Sequence, residues 1–166
     1  MLLSGEKLIC RVCRSQTIQK GFLFRCSASE CAAAHWDKGS LRKIFKKAEN
    51  KEFSKQRLFP DLENVLVEAG VPYKEKNLGK FVYQVRLRGK LAEGAKGKIY
   101  VGKTGLHPYE RFLHHIRGYK ASTHVKRLGT AIISFEGPMS DAEALKREPE
   151  LAEELKREGW EVYGGH

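Results

Sequence analysis

The tightest constraint in this sequence is the spacing of its four cysteines. Cys10 and Cys13 form a C-x2-C pair, and Cys26 and Cys31 form a C-x4-C pair beyond an intervening segment. Tetrahedral Zn2+ takes four soft ligands, and two close pairs can clasp the ion from opposite sides. Residues 1–38 hold all four cysteines and too little apolar surface for a core of their own. Metal coordination supplies the stability such a short segment lacks. Four thiolates leave no open position for water, so the expected Zn2+ is structural. His35, just beyond Cys31, is an alternative fourth ligand, and four reduced thiols without metal are the plainer alternative. Disulfides are not expected. No apolar run approaches the ~20 residues that cross a bilayer, and the first residues, Met1 to Glu6, lack the basic start and apolar stretch of a signal peptide. The expected setting is therefore cytoplasmic, where thiols stay reduced.

The formal net charge is +11, which attracts polyanions, nucleic acid first and an acidic membrane surface next. Lys7, Arg11, Arg14, Lys20 and Arg25 surround the cysteines. Residues 39–77 read as a basic helical connector carrying Arg42, Lys43, Lys46, Lys47, Lys51, Lys55 and Arg57. Leu41, Ile44, Phe45 and Ala48 recur at helical spacing there, which predicts an amphipathic basic helix. Its Arg42, Lys43, Lys46 and Lys47 are candidate nucleic-acid contacts. Pro60 opens a second helical stretch with Leu62, Val65, Leu66 and Ala69, ending at Gly70 and Pro72.

Residues 78–166 read as a compact α+β unit. Phe81 to Leu87 alternates as a strand, with Phe81, Tyr83, Val85 and Leu87 on one side. After a Gly- and Lys-rich turn, Lys98 to Gly102 forms a second strand, antiparallel to the first. Pro108 starts a helix with Tyr109, Phe112, Leu113 and Ile116 as its apolar positions, closed by Gly118. Thr130 to Phe135 is a third strand. Ser140 with Glu143 makes a capping box for a long last helix, and Trp160 to Tyr163 adds one short strand. The expected fold is a small, mostly antiparallel sheet of about three strands flanked by helices, preceded by a separate zinc-ribbon-like module.

Two helices carry the candidate chemistry. Arg111 and His115 are one turn apart and off the apolar stripe, so Arg111 can reach a phosphate with His115 beside it. His114 is expected to pack or to face solvent. On the last helix Ala142, Leu145, Leu151, Ala152 and Leu155 fall on one arc, with Glu148 in its middle. A carboxylate facing a core is costly unless paired or bound to a cation. Glu148 is therefore the acidic residue most in need of a functional explanation, although Pro149 would kink this helix and blur its phase.

Phe81-Val82-Tyr83 and Tyr100-Val101-Gly102, followed by Arg111-x3-His115 and the segment Glu143 to Glu148, resemble in order the motifs of the GIY-YIG nucleases. The resemblance covers about half of the chain, with Phe for Gly and Val for Ile in the first triplet. It implies a metal-dependent endonuclease hydrolysing DNA phosphodiester bonds, and leaves restriction, homing and repair roles open. It also implies that Tyr83 and Tyr100 turn their hydroxyls into one active site, with either as general base helped by His115. Lys103 would contact a phosphate or lower a tyrosine pKa. Glu148 would hold Mg2+ or Mn2+, whose oxygen-rich, sparse protein shell suits a single carboxylate. DNA is the expected partner before RNA, and double-strand cleavage would call for a dimer or for sequential nicking. The competing expectation is a non-catalytic zinc-ribbon protein that binds DNA or RNA.

Overall fold

The computed structural model describes residues 9–47, 60–73 and 78–166. Its sheet corrects the expected three strands: it has seven, in the order β1-β2-β3-β6-β4-β5-β7. The strands are β1 (Thr17–Lys20), β2 (Leu23–Cys26), β3 (Ala34–Trp36), β4 (Lys80–Leu87), β5 (Lys98–Thr104), β6 (Gly129–Met139) and β7 (Glu161–Gly164). The helices are α1 (Lys38–Lys47), α2 (Pro60–Ala69), α3 (Pro108–Arg117), α4 (Thr123–Leu128) and α5 (Asp141–Arg157).

Two non-local pairings account for the difference. Ala34 of β3 pairs with Ile132 of β6, so the cysteine-bearing strands extend the same sheet as the tyrosine-bearing ones. At the other edge β7 runs parallel to β5, Tyr100 opposite Tyr163. All remaining neighbours are antiparallel, including β4 with β5 as expected. A side-chain bond reinforces the first junction: the Trp36 indole Nε1–H donates to the Tyr109 carbonyl at 3.0 Å.

Strand alternation sorts the core into two layers. Tyr83, Val85 and Leu87 face Tyr109, Phe112, Leu113 and Ile116 of α3, together with residues of α1 and α2. Val82, Ile99 and Val101 face Ala144, Leu151, Ala152 and Leu155 of α5. Each fully buried aliphatic or aromatic side chain contributes about 1.5–3 kcal/mol relative to exposure, so both layers hold β4 and β5 firmly.

The α2 stripe, Gly118 and the Ser140–Glu143 box act as expected, and the Asp37 and His107 caps are added by the structure. Leu62, Val65, Leu66 and Ala69 of α2 are all buried. Asp37 caps α1 by accepting from the Ser40 amide at 3.1 Å and the Ser40 hydroxyl at 2.7 Å. His107 Nδ1 accepts from the Tyr109 amide at 3.2 Å at the start of α3. Gly118 closes α3 at φ +98°, in the left-handed region that glycine tolerates without a Cβ clash. The Ser140–Glu143 capping box starts α5.

Four expectations need correction or stop short. The basic helix covers Lys38–Lys47 in the described residues; the side chains of Lys46 and Lys47, and all of Ala48, Lys51, Lys55 and Arg57, lie outside them. The buried face of α5 is Ala144, Glu148, Leu151, Ala152 and Leu155, whereas Ala142 and Leu145 are exposed. That set follows i, i+4, i+7, i+8, i+11, so the arc containing Glu148 lies one residue away from the expected phase at its start. Pro149 sits inside a helix that continues to Arg157. Finally, α3 is buried nearly all round, and only Arg111 and Arg117 are half-exposed. His114 and His115 are both fully buried, because α4 and α1 cover the side of α3 that the sheet does not.

Candidate functional site

The cysteine end of the sheet gathers four sulfurs. The Sγ atoms of Cys10, Cys13, Cys26 and Cys31 all lie within 4.8 Å of one another, with Cys10–Cys31 at 3.9 Å and Cys13–Cys26 at 3.4 Å. A Zn–S bond of about 2.3 Å in a regular tetrahedron sets sulfurs about 3.8 Å apart. The four cysteines could therefore hold a metal ion such as zinc. The loops are shaped for it: the Val12 amide donates to Cys10 Sγ and the Ala28 amide to Cys26 Sγ, each at 3.4 Å. Hydrogen bonds from Ser15 hold Cys13 down to about 6, while desolvation pushes Cys31 up to about 12. A thiolate at Cys31 thus needs a cation's charge beside it. Cys31 is a member of the four-sulfur group and His35 is not. Instead, buried His35 brings Nε2 to 3.5 Å from Cys10 Sγ.

At the other end of the sheet three rings meet. Tyr83 of β4, Tyr100 of β5 and His115 of α3 form a triangle with ring centroids 6.1, 6.2 and 6.1 Å apart. Gly102 makes room for it. A Cβ there would stand 2.7 Å from Tyr100 Cε1 and 2.9 Å from the Tyr83 hydroxyl, closer than real side chains approach. Phe81, which takes the place of the glycine in the resemblance, is buried against the rings of His107 and Phe135, each 6.1 Å away.

The hydrogen bonds fix the tautomer of His115. Its Nδ1 accepts from the Ser122 backbone N–H at 3.0 Å, so the proton of the neutral ring is on Nε2. Nε2 lies 2.8 Å from the Tyr83 hydroxyl oxygen, to which it donates. Desolvation, followed by the charge of Arg111, lowers the His115 pKa to about 3, so the ring is neutral across the physiological range. Burial raises the pKa of Tyr83, and it raises that of the more exposed Tyr100; the Arg111 guanidinium opposes both shifts. Arg111 is anchored by donating from Nη2 to the Lys120 carbonyl at 2.7 Å. Beside it opens a pocket of about 400 Å³ lined by Lys103, Arg111, Tyr119 and Lys120, among others.

Glu148 enters from α5. It is 6% exposed, and its Oε2 accepts from Lys103 Nζ at 2.8 Å. Among the described residues its Oε1 takes no hydrogen bond. Lys103 also donates to the His166 carbonyl at 3.3 Å. The buried carboxylate therefore has a cationic partner, which periodicity could not reveal. The structure thus brings Tyr83, Tyr100, Arg111 and His115 together and joins Lys103 to Glu148. Arg42 and Lys43 stand exposed on α1.

Sequence reasoning missed Ser122, which gives His115 its backbone N–H and Tyr100 its side-chain hydroxyl from a loop that no periodicity marks. It also missed Tyr119 and Lys120, whose positive-φ turn (Lys120 φ +42°) folds them back over Arg111. A second buried pair, His114 Nε2 with Glu110 Oε1 at 3.4 Å, lies on the same helix. Comparison with protein-family models, with curated proteins and with solved structures finds no match to this chain. Among the described residues no helix is long and apolar enough to cross a membrane.

Proposed function

We propose that this chain is a metal-dependent endonuclease of the GIY-YIG type that hydrolyses DNA phosphodiester bonds. The supporting observation is the convergence of Tyr83, Tyr100 and His115 beside the Arg111 guanidinium, which itself lines a pocket with Lys103 and Lys120. In this reading Arg111 and Lys120 bind the phosphodiester, and Arg111 neutralises the charge that grows on it in the transition state. Tyr100 is the general base: it is the less buried tyrosine, and its phenolate form takes the proton of the attacking water. Tyr83 positions it. The His115 Nε2–H donated to Tyr83 leaves the Tyr83 hydroxyl proton free to point toward Tyr100, lowering the cost of a phenolate there.

Glu148 fits a divalent cation through one carboxylate oxygen that, among the described residues, takes no hydrogen bond, with its partner Lys103, which lines the pocket, as the competitor for that charge. Mg2+ or Mn2+ bound there would supply charge neutralisation at the scissile phosphate and its leaving oxygen. The four sulfurs would hold structural Zn2+, closed to water. The exposed Arg42 and Lys43, with Lys46 and Lys47 on the same helix, would add phosphate contacts.

A second reading has its own support. The 2.8 Å Lys103–Glu148 ion pair gives the buried carboxylate the partner it needs, and a non-catalytic DNA- or RNA-binding protein with a zinc module requires nothing more of Glu148. Incubating zinc-loaded protein with plasmid DNA and Mg2+ or Mn2+ separates the two. The nuclease reading expects nicking by the wild type and a loss of ~100- to 1,000-fold in both Arg111→Ala and Glu148→Gln. It expects Lys103→Met, which breaks the same ion pair, to retain more activity than Glu148→Gln. Absence of wild-type nicking on linear, supercoiled and branched DNA alike would leave the binding protein standing.

A further inference from the structure

A second group of cations lies away from the tyrosines and draws on three separate parts of the chain. Lys38, at the start of α1, donates its ammonium to the Gly129 carbonyl at the start of β6, 5.7 Å from the centre of the Phe112 ring. Gly129 pairs with Leu87. The next residue, Arg88, donates its backbone N–H to the Leu128 carbonyl at 2.9 Å and its Nη2 to the Arg127 carbonyl at 3.3 Å. Lys38 and Arg88 therefore meet over one turn of chain. Arg42 follows Lys38 by four residues on α1 and so shares its face. Arg11, from the first cysteine loop, completes the group: its charge acts on both His35 and Lys38.

Arg11, Arg42 and Arg88 are exposed and Lys38 is half-buried. Among the described residues none of the four makes an ion pair with a carboxylate. Burial first, and then the charges of Arg42, Arg88 and Arg11, hold Lys38 down to about 8. Like charges gathered without counter-ions repel one another, and a polyanion relieves that repulsion. Three separate parts of the chain supply the cations, and the β3–β6 pairing brings them together.

We infer that Arg11, Lys38, Arg42 and Arg88 form a second contact for a DNA phosphate backbone, at a distance from the tyrosine site. The inference rests on the nuclease reading only for the identity of the polymer. Lys103 pairs with Val82, and Arg88 lies six residues further along the same strand direction. At about 3.3 Å per residue this is roughly 20 Å, the length of about six base pairs at 3.4 Å each. A duplex whose scissile phosphate sits by Arg111 would thus be held again about half a helical turn away.

The test is the salt dependence of binding. Anisotropy of a fluorescein-labelled DNA duplex of about two helical turns is measured over a KCl series, without divalent cation, for zinc-loaded wild type, Arg11→Gln/Arg88→Gln and Arg88→Gln. Each lost phosphate contact lowers the slope of log K against log salt by about 0.9. The double variant should therefore lose about 2 from the slope, and Arg88→Gln about 1. Arg88→Gln stands apart from the cysteine loop, so its result holds whether or not Arg11→Gln disturbs the metal. A slope unchanged from wild type in both variants would overturn the surface, as would a change seen with an RNA duplex and not with DNA. Cleavage in Mg2+ is read separately: a wild type that shows the slope difference but never cuts keeps this surface and loses the nuclease reading.

Discussion

At the cysteine end of the sheet the buried cluster consists of Cys10, Ala33 and Ala131, small side chains that remove little apolar surface from water. At the tyrosine end, β4 and β5 lie between two layers of leucine, isoleucine, valine and aromatic residues. The polar atoms are arranged accordingly. Where the core is thin, the sulfurs of buried Cys10, half-buried Cys26 and Cys31 and exposed Cys13 face one another and invite a metal to complete the structure. Where it is thick, the fold tolerates a buried neutral histidine, a buried tyrosine hydroxyl and a buried carboxylate, each with a partner. Strong packing is what allows polar groups to be held in an unfavourable setting, and such settings are where reactive groups are found.

Removing the metal should break this contrast most sharply. Structural zinc contributes ~10–16 kcal/mol to folding in isolated finger peptides. Chelation, or Cys26→Ser, should lower amide-exchange protection most in β1 and the cysteine loops, less in β2 and β3, whose Leu23 and Trp36 join the main core, while β4 and β5 keep theirs. Equal protection at both ends after chelation would show that the thin core stands without a metal.

A smaller effect should come from acid at the thick end. His115 is held neutral in the fold at a pKa of about 3, whereas an unfolded histidine titrates near 6.5. The unfolded chain therefore binds the proton first. The stability linked to this ring is complete above pH 6.5 and is lost progressively as the pH falls toward 3. Between pH 7 and about 4.5, the stability of His115→Gln should fall by about 3 kcal/mol less than that of wild type. Denaturant melts of the two proteins at both pH values measure the difference, and parallel losses would mean that His115 is not the buried titrating group.

The smallest change tests how tightly the three rings are packed. Gly102→Ala puts a methyl between Tyr100 and the Tyr83 hydroxyl, and overpacking of this kind costs about 1–3 kcal/mol. The melting temperature should fall while zinc content is unchanged. A variant as stable as wild type would mean that the tyrosines have room to move apart, against the close approach described above.

The candidate site was legible to the extent that it depends on local order. Tyr83 and Tyr100 alternate toward one side of their strands, and Arg111 and His115 share a helix with a readable start and stop. The partner of each was not legible. Tyr83 meets His115 across 32 residues of chain and Lys103 meets Glu148 across 45, and no periodicity connects such positions. The burial of His115 was missed for the same reason, since a polar residue off an apolar stripe reads as exposed until a second helix covers it.

Spacing and periodicity alone determined the cysteine pairs, the helix caps at Ser140 and Gly118, the α2 stripe and the antiparallel pairing of β4 with β5. Each is set by a few bonds or a few turns of chain, and nearby residues carry that information. Only the tertiary structure decided that β3 would pair with β6 and β7 with β5, making one seven-stranded sheet of the cysteine and tyrosine strands. Strand edges offer the same backbone donors and acceptors to any neighbour. The choice among them rests on how distant side chains pack, and no single stretch of sequence records that.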